Sequence, residues 1–64
     1  MLAGNIKRHR NEKGLSQEQL AQKAGITYST LAKLESGVNK NPTVRTLQQI
    51  ARALEVTLDE LLKK

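Results

Sequence analysis

The sequence predicts an all-α fold, a compact five-helix bundle that contains a helix-turn-helix. Three observations support this prediction. Apolar residues recur at three- and four-residue spacing along most of the chain, and no segment alternates like a strand. Each predicted helix carries its own start and stop residues. The 64 residues are enough for one small domain, 1–64, and leave no room for a second.

The first predicted helix runs from about Leu2 to Lys13 and ends at Gly14. Leu2, Ile6 and Arg10 follow one another at four-residue spacing and therefore share one face. Because this face packs against the rest of the domain, Arg10 is directed inward. A buried guanidinium requires an acidic partner.

A capping box opens the second predicted helix. Ser16 precedes Gln19 by three residues, so the two side chains satisfy amide donors that the helix start leaves unpaired. Gln17 is the first helical residue. Gly25 ends the helix, because glycine adopts the left-handed conformation that a sharp turn requires.

The third predicted helix, 28–36, follows this turn directly. Thr27 is its N-cap and Gly37 ends it. Leu31 and Leu34 face the core at helical spacing. Together, the second and third helices have the pattern of a helix-turn-helix.

The outward face of the third helix has the chemistry of a surface that reads DNA. Its side chains are small or polar, with one lysine among them: Ser29, Ala32, Lys33 and Ser36. Such a face suits entry into a major groove about 12 Å wide better than packing against protein. A plain solvated face is the alternative, but the capped helix before it, the glycine turn and the basic surroundings favour DNA.

Glu35 borders the buried side of the third helix, because it lies next to Leu34 and four residues after Leu31. We therefore predict an ion pair between Arg10 and Glu35. The alternative is that both side chains turn outward to solvent.

Two more helices complete the predicted fold. Pro42 stops any continuation of the third helix, and Thr43 caps a fourth. The predicted core residues of the fourth helix are Val44, Leu47, Ile50, Ala51 and Leu54. Thr57 and Glu60 form a second capping box, which opens a short fifth helix. That helix carries the apolar residues Leu58, Leu61 and Leu62 and ends in the cations Lys63 and Lys64.

The net charge of +5 is distributed unevenly along the chain. Up to and including Arg45 there are eight basic and three acidic residues, whereas the remainder has three of each. The positive excess therefore surrounds the helix-turn-helix, which indicates an anionic partner such as DNA. Tyr28 is the only aromatic residue, which argues against single-stranded nucleic acid because stacking dominates its binding.

Several other classes of protein are excluded by composition. The chain has no cysteine for a disulfide or a thiolate metal site, and no apolar stretch near the roughly 20 residues of a membrane span. One histidine and one aspartate are too few for a catalytic or metal-binding cluster. His9, between Arg8 and Arg10, is expected to be exposed. We expect a soluble cytoplasmic protein that is not an enzyme and binds no metal, cofactor or small-molecule ligand.

Four segments resemble the Cro and repressor-like helix-turn-helix family, often called the XRE family, at that family's spacing. They are LSQEQLAQKAGI at 15–26, TLAKLESG at 30–37, NPTVRTLQQIARAL at 41–54 and VTLDELL at 56–62. The resemblance covers essentially the full chain. It implies a lambda-repressor-like domain that acts as a repressor. Such a domain binds operator DNA, typically an inverted repeat, as a homodimer with its third helix in the major groove.

The resemblance also implies roles for individual residues. Gln17 would contact phosphate or an outer base. The residues that would face base edges or adjacent backbone are Thr27, Tyr28, Ser29, Ala32 and Lys33. Ser36 joins the predicted DNA contacts because it lies on the same outward face of the third helix. The loop residues Asn39, Lys40 and Asn41 would hold the other strand, although turn chemistry explains the asparagines equally well. Family members often pair an arginine and a glutamate at the positions of Arg10 and Glu35.

Three points stay open at the level of sequence. Glu55 stands where many relatives have glycine, so either the turn after the fourth helix differs or it is strained by about 1 kcal/mol. Val56, Leu58 and Leu62 indicate a dimer interface, unless they belong to the core. A protein-interaction module, such as an antitoxin or a co-activator-like adaptor, is the alternative to a DNA reader.

Overall fold

The computed structural model describes residues 2–63, which form five α-helices. These are α1 (Leu2–Glu12), α2 (Gln17–Ala24), α3 (Tyr28–Ser36), α4 (Val44–Leu54) and α5 (Leu58–Leu62). α1 packs against α3, α4 and α5, while α2 packs against α3 and α4. The predicted all-α fold is confirmed. No helix within 2–63 is long and apolar enough to cross a membrane.

All five helices contribute to one hydrophobic core. Its fully buried side chains are Ile6, Leu20, Leu31, Leu34, Ile50, Leu54 and Leu61. α2 and α4, which pack against each other, also bury four alanines, whose small side chains allow close packing: Ala21, Ala24, Ala51 and Ala53. The core therefore holds α2 and α3, the two helices of the helix-turn-helix, against a scaffold made of the other three.

Hydroxyl side chains start the last four helices, as predicted. The N-caps are Ser16, Thr27, Thr43 and Thr57, and each hydroxyl accepts the amide N–H three residues further on. Capping boxes are present at α2 and α5. Gly25 and Gly37 end α2 and α3 in the left-handed conformation, with φ of +73° and +83°.

The end of α1 differs slightly from the prediction. The helix stops at Glu12 rather than Lys13. The Lys13 N–H is shared between the carbonyls of His9 and Arg10, at 3.1 and 3.2 Å, so the last turn tightens before Gly14 reverses the chain at φ +69°. Gly14 therefore ends this segment, as predicted.

Two residues have a different environment from the one predicted. Val44 was expected in the core but is 63% exposed. Its neighbours Thr43 and Arg45 are exposed too, so the first turn of α4 extends beyond the core. His9 was expected to be exposed, yet its side chain is only 11% accessible. It lies one turn after Asn5, on the face of α1 that packs against α5.

Asn5 fixes the end of α5 onto α1. Its side-chain amide donates to the carbonyl of Leu61 at 2.8 Å and also to that of Lys63. These bonds satisfy carbonyls that a helix end leaves unpaired. Lys63 is extended and follows α5 instead of ending it, and the predicted contribution of Lys64 lies outside the described residues.

The predicted ion pair between Arg10 and Glu35 is confirmed. Arg10 Nε lies 2.7 Å from Glu35 Oε2, and Arg10 Nη2 lies 3.0 Å from Oε1, which makes the pair bidentate. Only 1% of the Glu35 side chain is accessible. Gln17 Nε2 donates a third bond to Glu35 Oε1 at 3.0 Å, and Arg10 Nη1 donates to the Leu15 carbonyl at 2.7 Å. One carboxylate thus joins α1, α2 and α3.

Glu55 ends α4 in the left-handed conformation, with φ +60° and ψ +39°. The chain therefore makes the left-handed turn that glycine favours at the end of α4, although Glu55 carries a side chain. Lys13 Nζ lies 2.9 Å from the Glu55 carboxylate. This hydrogen bond and the charges of Lys13 and Lys23 lower the pKa of Glu55. The interaction favours the folded state above the ordinary pKa of the group and is lost as pH falls through the lowered value.

Glycine at position 55 should stabilise the domain relative to alanine. Glu55→Gly and Glu55→Ala remove the same carboxylate, so their difference isolates the backbone. A residue with a Cβ is less stable than glycine by about 1 kcal/mol in the left-handed conformation. We expect urea denaturation to give Glu55→Gly a free energy of unfolding higher by about that amount. Equal midpoints for the two variants would contradict the strain.

Loss of Arg10 should destabilise the domain severely. Arg10→Met leaves the Glu35 carboxylate buried without its main partner, which costs about 3–5 kcal/mol. Arg8→Met is the matched control on the same helix, because Arg8 pairs with Glu12 at 3.7 Å in an exposed position. We expect the control to cost about 0.5 kcal/mol or less. Thermal unfolding measures both.

A double variant tests the cause of this destabilisation. Arg10→Met combined with Glu35→Leu removes both charges, so it should be more stable than Arg10→Met alone. If the double variant were less stable than the single one, lost packing would explain the effect and the buried charge would not.

Candidate nucleic-acid interface

The predicted contact residues lie at the start of α2, along α3 and in the loop 37–43 that follows it. Two contacts join these three parts. Gln17 reaches α3 through Glu35, and the Asn39 N–H donates to the Lys33 carbonyl at 3.0 Å, which ties the loop back onto α3. The structure therefore brings the predicted residues of α2, α3 and the loop into one region of the fold.

Five of the predicted side chains point away from the core with their polar groups uncommitted. Within residues 2–63, no hydrogen bond or ion pair engages the side chains of Tyr28, Ser29, Lys33, Lys40 and Asn41, and all five residues are exposed. Ala32 is half-buried between this face and the core. This part of α3 and its loop offers amine, hydroxyl and amide groups to a partner.

Three other predicted residues use their side chains for local structure. The Thr27 hydroxyl caps α3 by accepting the Thr30 N–H at 3.1 Å. The Ser36 hydroxyl donates to the Lys33 carbonyl at 3.2 Å, at the end of α3. Asn39 Oδ1 accepts the Asn41 N–H at 3.1 Å, which leaves the Asn39 amide nitrogen for other partners. A role in the turn therefore accounts for part of the hydrogen bonding of Asn39.

Gln17 has a role that the sequence did not indicate. It is half-buried, and its side-chain nitrogen donates to the carboxylate that holds Arg10. An amide nitrogen carries two hydrogens, so one donor and the side-chain oxygen remain. The bond to Glu35 fixes the direction in which these groups point.

Arg45 is a cation that the sequence-based set of contacts omitted. It is exposed in the first turn of α4, directly after the loop that carries Lys40. A cation near a helix N-terminus opposes the helix dipole, so an anionic partner would offset this cost. The signal was present in the sequence, because Arg45 follows the predicted cap Thr43 by two residues.

The charge of this region is positive. Lys33, Lys40 and Arg45 are exposed, and none of them pairs with a carboxylate within 2–63. The acidic residue on α3, Glu35, is buried and already neutralised by Arg10. An approaching polyanion therefore meets cations on this surface without a competing negative charge from α3. No group of three His, Asp or Glu side chains in the described part of the chain could hold a metal ion.

The sequence profile of the helix-turn-helix family HTH_3 matches residues 6–61. Among curated proteins, the HTH-type transcriptional regulator SinR of Bacillus licheniformis is 36% identical over 64 residues, which is 100% of this chain and 58% of SinR. The chain spans about half the length of such relatives. The SinR proteins of Bacillus licheniformis and Bacillus subtilis are both HTH-type transcriptional regulators, in agreement with the prediction of a protein that is not an enzyme.

Two solved structures of SinR superpose closely on this fold. The first is a crystal structure of SinR, described as a master regulator of biofilm formation, in complex with DNA. It has a TM-score of 0.95 at 36% identity over 98% of this chain and 100% of that one. The second is a complex of SinR with the protein SinI. It has a TM-score of 0.96 at 36% identity and covers 100% of this chain and 62% of that one.

Proposed function

The chain belongs to the HTH_3 family of helix-turn-helix transcriptional regulators, and we propose that it is a repressor that reads double-stranded DNA by inserting α3 into the major groove. One observation carries the proposal. The outward face of α3 presents free polar groups, while its inward face is fixed to α1 and α2 by the buried carboxylate of Glu35. A rigid reading surface of this kind keeps donors and acceptors in a fixed register with base edges.

We assign base contacts to the middle of α3. Lys33 is suited to guanine, whose O6 and N7 accept from a lysine, and the Ala32 methyl group is suited to the methyl group of thymine. Ser29 can donate or accept. Tyr28 and Ser36, near the two ends of α3, would lie against sugar or phosphate, as would the cap Thr27.

Phosphate contacts are assigned to the flanks of the reading surface. Gln17 has one amide donor to give, and its bond to Glu35 aims that donor in a fixed direction. Lys40, Asn41 and the Asn39 amide nitrogen would hold the opposite strand, and Arg45 extends this set. Such contacts set the position of the protein on the duplex without reading its sequence.

A two-fold dimer on an inverted repeat completes the proposal. Leu62 on α5 is 52% exposed, while Val56 and Leu58 beside it pack against the core in part. An exposed leucine at the edge of a partly covered apolar group supports an interface between two copies. The proposal also places the protein in the cytoplasm, where it would bind chromosomal DNA.

Regulation through a protein partner is the second candidate function. The observation that favours it is the solved complex of the relative SinR with SinI. The chain would then act as an adaptor or as an antitoxin, and the α3 surface would not decide its activity. The substitution at Lys33 described below separates the two functions.

Selection from a random duplex library should enrich an inverted repeat. On the enriched duplex, Lys33→Glu should weaken binding by about 10- to 100-fold, because it removes one base contact and opposes the phosphates. Lys23→Glu is the matched control, since it makes the same change of charge in the last turn of α2. We expect it to bind within about threefold of the wild type at moderate salt.

Three outcomes of these experiments would contradict parts of the proposal. Unchanged affinity of Lys33→Glu would reject reading by α3 and favour the adaptor. Binding without any enriched sequence would reject sequence specificity, and an enriched single half-site would reject the dimer.

Binding should also weaken steeply with salt, and Lys40 should account for one contact in that dependence. Each neutralised phosphate contributes about 0.9 to the slope of log affinity against log salt. Lys40→Ala should therefore flatten the slope by about 0.9 for each bound copy and lower the affinity for all duplexes alike. Fluorescence anisotropy over a salt series measures both. An unchanged slope, or a loss confined to one sequence, would remove Lys40 from the phosphate contacts.

A further inference from the structure

A groove of about 360 Å³ lies between the last turns of α2 and α4, and the proposed DNA contacts do not use it. Its rim carries two cations and two neutral amides, and its floor consists of small residues. The lining residues are Gln22, Lys23, Ala24, Gly25, Gln49, Arg52 and Ala53. The groove exists because Ala24, Gly25 and Ala53 fill little space.

The floor of this groove is rigid. Ala24 and Ala53 are buried parts of the core, and Gly25 is fixed by its own hydrogen bonds to the carbonyls of Ala21 and Gln22. A Cβ on Gly25 would lie 3.6 Å from the side-chain nitrogen of Gln49, so the backbone and this amide already adjoin. The floor is therefore preformed, and a ligand would have to order only the side chains on the rim.

The cations on the rim have no acidic partner within residues 2–63. Neither Lys23 nor Arg52 forms an ion pair there, and both residues are exposed. Glu55 follows α4 nearby, and the charge of Lys23 helps to lower its pKa, but its carboxylate bonds to Lys13 Nζ at 2.9 Å and not to Lys23. Two positive charges therefore stand about a concave surface with no carboxylate of the domain bound to them.

The position of the groove separates it from the proposed DNA contacts. α2 begins at Gln17 and α4 at Val44, beside the residues assigned to DNA. Since a helix rises by 1.5 Å per residue, Lys23 lies about 9 Å and Arg52 about 12 Å further along these axes. The groove therefore lies toward the opposite ends of α2 and α4 from the residues assigned to DNA.

We propose that this groove binds an acidic segment of a partner protein. Lys23 and Arg52 would pair with side-chain carboxylates, and Arg52 can do so with two parallel bonds. Gln22 and Gln49 each offer a donor and an acceptor, which is what the backbone of an extended peptide needs. Two cations between neutral amides match a short acidic peptide better than a continuous phosphate backbone, which favours a row of cations.

Chemical-shift mapping with a defined acidic probe tests the proposal. The probe is an octapeptide of glutamate and glycine with blocked ends, added to the ¹⁵N-labelled 64-residue chain. We expect the largest shifts at 22–25 and 49–53. The double variant Lys23→Ala, Arg52→Ala should lower the affinity for the peptide by about tenfold or more.

A matched double variant controls for net charge. Lys33→Ala with Arg45→Ala removes the same charge from the proposed DNA surface, and it should change peptide affinity by about twofold or less. The proposal is overturned if both double variants lower the affinity for the peptide equally or if the largest chemical-shift changes lie on α3. It is also overturned if inorganic phosphate at the same ionic strength displaces the peptide, because the groove would then be a simple anion site.

A second arm tests the duplex as an alternative occupant. The Lys23→Ala, Arg52→Ala variant should bind duplex DNA as the wild type does. Loss of duplex binding equal to that of the Lys33→Ala, Arg45→Ala variant would assign the groove to DNA and reject the acidic peptide. The peptide arm does not use DNA, so a failure of the proposed DNA-reading function leaves it informative.

Discussion

The fold depends on satisfying one buried carboxylate. Glu35 lies on α3 with 1% of its side chain accessible, and a charge in that position is stable only with partners from neighbouring helices. Arg10 supplies two bonds from α1 and Gln17 supplies one from α2. The apolar stripe of Leu31 and Leu34 turns one side of α3 toward the core, and the three bonds to Glu35 fix that side against α1 and α2. The same arrangement decides which face of α3 meets solvent.

Local rules made most of the fold predictable. Four helices start at hydroxyl caps whose hydrogen bonds lie within four residues of sequence: Ser16, Thr27, Thr43 and Thr57. These helix starts could therefore be predicted without knowledge of the tertiary structure. The pairing of Arg10 with Glu35 also followed, because both residues share a helix face with apolar neighbours. These features depend on periodicity and capping, which a sequence displays directly.

The errors arose where burial depends on how helices overlap. Val44 has the spacing of a core residue, but the first turn of α4 extends past the core, and spacing alone contains no information on overlap. His9 has charged neighbours, yet its side chain is largely covered, one turn from the Asn5 that bonds to α5. The family resemblance gave Gln17 a DNA contact, which stays a prediction, and its additional bond to Glu35 could not be predicted because it depends on where α3 packs. The five free side chains at Tyr28, Ser29, Lys33, Lys40 and Asn41 agree with the predicted interface in exposure, while their partners stay a proposal.

The hydroxyl caps have a consequence for how the chain folds. Because the start signal of each capped helix is complete within a few residues, these helices can begin to form before distant parts of the chain meet. The bond between Arg10 and Glu35 spans 25 residues, and the amide of Asn5 meets the carbonyl of Leu61 across 56. Contacts of such separation carry a larger loop-closure entropy and form later. Folding should thus be fast, with the orientation of α3 and the docking of α5 among the last events.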